Sequence, residues 1–148
     1  MTPRRLPWAG LCTLVLMSGC IAPAPDQGAF EQNAKSALES ASSETSTARL
    51  ALDGLLSGKA TDAYADTVVT DSENAMGGVQ TSFGVVDPPS RAQDRLRDQV
   101  LTLLSDADDA LAHARIALRR NDTRALHAAL GELDASTSQL EHARAALG

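Results

Sequence analysis

The chain has 148 residues, 13 basic and 19 acidic side chains, and a formal net charge of −6. It holds one Trp, one Tyr and two Phe. An acidic surface is repelled by nucleic acid and by anionic lipid headgroups, and so few rings leave little to stack a base or a sugar on. Nucleic acid is therefore excluded as an expected partner.

In chain order, the first feature is a charged-then-apolar segment. Arg4 and Arg5 precede the run Leu6 to Met17, and Ser18 and Gly19 lead directly to Cys20. A basic start, a short apolar run and small residues at its end are the order of a secretory signal. The run is too short to cross a bilayer, which takes about 20 residues. The segment resembles the lipobox of bacterial lipoproteins, with Met17 standing where Leu, Val or Ile is commoner. The resemblance covers residues 1–20 only. It implies that residues 1–19 are cleaved, that Cys20 is the lipidation site, and that the protein is anchored to a membrane on its extracytoplasmic face. In a two-membrane bacterium, Ile21 after the cysteine favours the outer membrane.

Cleavage there removes Arg4, Arg5 and no acid, which moves the net charge from −6 to −8. It also removes Cys12, the second of two cysteines. A single thiol then remains, so no disulfide is expected, and a lone exported thiol is better explained as a thioether to lipid. Residues 20–26, Cys-Ile-Ala-Pro-Ala-Pro-Asp, follow as a tether. Proline fixes its own backbone and extends the residue before it, so at about 3.1 Å per residue the tether reaches roughly 20 Å.

Four helical segments come next. The first, about Gln27 to Leu56, places Phe30, Ala34, Ala37, Ala41, Thr45, Ala48, Leu52 and Leu55 at steps of three and four, one stripe of a helix. Glu31 and Lys35 stand as an i,i+4 pair, and Gly58 is a plausible stop. The second segment starts at the cap candidate Thr61 and ends near Gly84. Tyr64, Val68, Ala75 and Val79 suggest its inner face. The β-branched run from Thr67 to Thr70 and the pair Gly77-Gly78 weaken it, each glycine costing about 1 kcal/mol relative to Ala. The pair reads either as close approach to a neighbouring helix or a kink, or as a hinge or gap for a ligand.

Asp87-Pro88-Pro89 breaks the chain, and Ser90 with Gln93 forms a capping-box pattern opening the third helix. Leu96, Val100, Leu103, Ala107, Ala110, Ala114 and Ala117 continue in unbroken 4-3 spacing, with Leu104, Leu111 and Leu118 widening the stripe. Asn121-Asp122 makes a short turn and cap. Leu126, Leu130, Leu133, Thr137, Leu140 and Leu147 carry the fourth helix. Four amphipathic helices with short joints predict an all-α, up-down antiparallel four-helix bundle over residues 27–148. The leucine-rich third and fourth helices are expected to hold it together.

Residues for chemistry are sparse. His113 and His127 are expected beside the core stripe and His142 outside it, without the Glu-x-x-His spacing of carboxylate-bridged metal bundles. Asp106, Asp108 and Asp109 sit mid-helix without the glycine of a calcium loop. No Gly-x-Ser-x-Gly elbow is present. The expectation is a non-catalytic envelope lipoprotein without metal or cofactor, docking a protein partner or acting as a structural element. The alternative is a small-ligand module that opens near Gly77-Gly78.

Overall fold

The computed structural model describes residues 26–148, and Cys20 with the segments before and after it to residue 25 lies outside them. Four helices follow in order: α1 Gln27–Leu56, α2 Asp62–Gly84, α3 Arg91–Arg119 and α4 Thr123–Ala146. Three of the four starts carry a capping side chain. The Asp26 carboxylate accepts from the Ala29 backbone N–H at 2.8 Å, Thr61 from Tyr64 at 3.3 Å and Asp122 from Ala125 at 3.0 Å. These groups satisfy amides that a helix start leaves unpaired. Gly58 ends α1 in the left-handed region at φ +72°, and Asn121 turns α3 into α4 at φ +49°. Asp26, read from sequence as the end of the tether, is thus the cap of the bundle.

Cross-helix contacts fix the topology. Early α1 lies beside late α4 through Lys35 and the Gly148 carbonyl, and later α1 beside mid α4 through Thr45 and Thr137. Phe30 of α1 packs on Phe83 of α2 with ring centroids 5.7 Å apart. Gln80 of α2 donates to the Leu104 carbonyl of α3 at 3.0 Å, and Arg115 of α3 reaches back to Glu73. Every sequential pair is therefore antiparallel, an up-down-up-down bundle. The section is a rhombus: α1 and α3 touch across the short diagonal, whereas α2 and α4 do not meet. Alanine explains the short diagonal. Ala34, Ala41 and Ala48 of α1 and Ala107 and Ala114 of α3 are fully buried, and side chains this small allow helix backbones to approach closely.

The stripes of α1 and α4 fall where the spacing puts them, with Leu38 and Ala51 added to the first and Ala129 and Ser136 to the second. Leu55 of α1, Leu130 and Thr137 of α4 and the α4 cap Leu147 are only half-buried. The inner face of α2 is different from the expected one. Ala65, Val69, Ser72, Met76 and Phe83 are buried, while Tyr64 is 58% exposed and Ala75 is exposed. The face is rotated because Met76 and Phe83, one heptad apart, are the largest apolar groups of α2 that can reach α1 and α3. On α3 the buried leucines are Leu104, Leu111 and Leu118, and Leu96 and Leu103 are half-buried.

Two local pairings also differ. Ser90 caps α3 by position only, without a side-chain bond to the helix start. Its hydroxyl donates instead to Gln93 Oε1 at 3.2 Å, and Gln93 Nε2 donates to Glu31 of α1 at 3.2 Å. Gln93 is buried, and the bond to α1 draws it away from a reciprocal box. Glu31 accordingly faces Gln27 and Gln93, and Lys35 turns to the Gly148 carbonyl rather than to Glu31.

Candidate functional site

The lipidation residue Cys20 precedes the described residues by a tether that ends at Asp26, the cap of α1. Lys35 beside Gly148 and Glu31 linked to Gln93 show which parts of the other helices share that end of the bundle. They are the C-terminus of α4 and the start of α3. The tether and the anchor it would carry leave from there.

Gly77 and Gly78 lie inside an uninterrupted α2, and a Cβ on either would meet nothing within 4 Å. They mark neither a close helix approach nor a break. Gly78 instead borders an open groove of about 410 Å³ between α1 and α2, with Asn33, Ser36, Ser40 and Ser82 supplying its polar lining and Phe83 part of its apolar lining. Small side chains on both helices leave this space unfilled.

All three histidines are exposed. His113 pairs at 2.8 Å with Glu132 of α4, not with Asp109 one turn away on its own helix. Among the described residues no three His, Cys, Asp or Glu side chains converge as metal ligands would.

The acidic run of α3 meets a feature that sequence reasoning missed. Glu73 of α2 takes a two-pronged hydrogen bond from Arg115 of α3, with Nη2 to Oε1 at 3.0 Å. Both side chains are about three-quarters buried, at 24% and 22% exposure. The bond holds the Arg115 guanidinium protonated beyond its ordinary range. Asp108 stands in the same seam, and partial burial, Glu73 and Asp109 raise its carboxyl pKa in that order. One turn further, Arg119 approaches Asp66 at 3.9 Å. The seam is a charged weld between two helices: each cation has an acid opposite. Its members are periodic on each helix, but the six-residue connection after Gly84 hides the register that pairs them.

A second missed feature lies between α3 and α4 near the tether end. Leu38, Leu96, Val100, Leu103, Ala143 and Leu147 line a groove of about 430 Å³. The spacing that put Leu96 and Leu103 on the core stripe placed them beside it, on the wall of this groove. No helix of the described residues is long and apolar enough to cross a membrane. Comparison of the chain with models of protein families, with curated proteins and with solved structures gives no match.

Proposed function

We propose that the protein is a non-catalytic bacterial envelope lipoprotein, held at a membrane by lipid on Cys20, whose helical bundle docks a protein partner or serves as a structural element. The observation that carries this reading is the order Arg4-Arg5, apolar run, Ser18-Gly19-Cys20. The bundle supports it in one respect. The half-buried Glu73 and Arg115 are committed to each other across the α2/α3 seam, and so serve to join two helices. Two or three acyl chains, at about 0.8 kcal/mol per buried methylene, anchor such a bundle almost permanently.

Cys20→Ala is expected to leave the precursor uncleaved, and intact mass of the wild-type membrane fraction to show lipid on a chain beginning at Cys20. Wild-type protein free in the medium, with a Cys20 thiol open to alkylation, would overturn the reading.

A second reading is a small-ligand module that uses the α1/α2 groove. It is favoured by the unfilled space beside Gly78 and its mixed polar and apolar lining. Protein-free envelope extract should then raise the denaturation midpoint of the wild type but not of Gly78→Leu, which fills the groove. An equal shift in both removes this reading.

A further inference from the structure

We propose that the tether-bearing end of the bundle is a membrane-contact surface, and that the α3/α4 groove there takes an acyl chain of a bilayer lipid. The proposal rests on the anchored-lipoprotein reading and specifies how the bundle lies on the membrane.

Three observations converge on it. The first is the groove itself. All nine of its lining residues are uncharged, and Leu96, Leu103 and Leu147 on its walls are only half-buried. Further along the same seam, away from the tether, the lining changes to Asp106, Asp109, His113 and Glu132. The apolar part of the seam thus lies on the tether side.

The second is chain length. Six steps separate Cys20 from Asp26, a reach of roughly 20 Å for an extended Pro-containing tether. The groove spans the turns of α3 from Leu96 to Leu103, which lie beside Leu38 of α1, twelve residues from Asp26. At 1.5 Å per helical residue that is about 18 Å along the bundle. A lipid on Cys20 can therefore enter a bilayer against which the groove is lying, and the short tether keeps the bundle from standing away from it.

The third is charge. The tether half of the bundle, residues 26–42, 77–105 and 136–148, carries five basic and seven acidic side chains, a difference of −2. The distal half, residues 43–76 and 106–135, carries six basic and twelve acidic, a difference of −6. The repulsion expected between this acidic protein and anionic headgroups is therefore concentrated at the far end. A bilayer orients such a body with its less acidic end inward.

The groove's occupant follows from what meets it there. A bilayer offers hydrocarbon chains at high local concentration, and an uncharged cleft gains by removing its leucines from water. The bundle at this end rests against the surface without spanning it.

The test uses the full chain, processed and lipidated, in vesicles of phosphatidylcholine with a minor fraction of phosphatidylglycerol. Because Cys20 would be blocked by lipid, one introduced cysteine gives a single labelling site. An environment-sensitive fluorophore is placed at Leu103→Cys, at the exposed groove residue Thr102→Cys as a variant that leaves the leucines intact, and at Ile116→Cys in the distal half. Lipids carrying a quencher on the acyl chain are expected to quench positions 102 and 103 about twofold or more above position 116, since interfacial apolar faces sit about 5–10 Å into the boundary. Equal quenching at all three positions, or quenching at 116 alone, overturns the proposal. So does a result in which 102 and 103 are shielded by self-association, read as label-to-label energy transfer between copies. Sedimentation with the vesicles separates the two levels. A chain that sediments without selective quenching loses this inference alone, and a chain that does not sediment loses the anchor reading as well.

Discussion

Asp108 shows how one residue's environment departs from its sequence context. In the sequence it is the middle of an acidic run on a solvated helix face. In the bundle it leans into the α2/α3 seam, where partial burial and the charges of Glu73 and Asp109 raise its pKa. A carboxyl whose folded pKa lies above its unfolded value binds protons better when folded. Its ionisation therefore costs stability, a cost absent at pH below the unfolded pKa and fully present above the folded one. Asp108→Asn removes the charge at nearly equal helix propensity. The variant is expected to melt at higher temperature than wild type near pH 7. The gain should shrink as pH falls through the carboxylate range, because wild-type Asp108 becomes protonated. Paired thermal melts at pH 7 and pH 3.5 check this, and a gain that does not shrink at the acidic pH would falsify the assignment to Asp108 ionisation.

At the scale of the helix, α3 separates periodicity from burial. Leu103 and Leu104 are neighbours, and the 4-3 spacing through Leu96 and Val100 favours Leu103 as the core residue. The structure buries Leu104 completely and leaves Leu103 on the groove wall. Leu104→Ala is expected to cost about 2–5 kcal/mol, the range for a leucine emptied from a packed core. Leu103→Ala should cost a fraction of that, as should Val79→Ala on the half-buried flank of α2. Urea unfolding of the three variants, compared at constant m, decides the order. The difference follows from α3 having three neighbours. Its apolar arc must cover α1, α2 and α4 together, so its centre shifts toward Leu104, Leu111 and Leu118, which a two-helix stripe treats as the margin. The existence, order and ends of the helices were legible because caps and breakers act locally: Thr61, Gly58, Asn121 and Asp122 work within a few residues of themselves, though Asp26 was read as tether. The face of α2 was not legible. Tyr64 drew the reading to one side, and only the packing of Phe83 on Phe30 shows that the burying face is the other. The candidate sites follow the same division. Cys20 is written in local order, whereas the Glu73–Arg115 weld and the α3/α4 groove exist only once the helix register is set.

The whole molecule is built on a diagonal that no single helix announces. The leucine content of α3 and α4 suggests that these two hold the bundle together and that α2 is loosest at its glycines. In the rhombic section, however, α1 and α3 each touch all three other helices, and α2 and α4 each touch two. Local opening of α1 or α3 must therefore break three of the five helix interfaces, while opening of α2 or α4 breaks only two. Both diagonal helices bury alanines, whose small side chains allow close backbone approach, together with the large Leu38, Leu52, Leu104 and Leu111. Amide exchange is expected to be slowest along Ala34–Leu52 and Leu104–Leu118, the buried spans of α1 and α3. Met76 is fully buried while Gly77 and Gly78 next to it meet no neighbouring helix. Protection around Met76 to Val79 should accordingly lie between the diagonal helices and the fraying ends, higher than the two glycines alone suggest. Exchange measured residue by residue on the full chain tests the arrangement. Slowest exchange in α4 instead of α1 would mean that leucine content, not the α1–α3 diagonal, sets where this bundle is strongest.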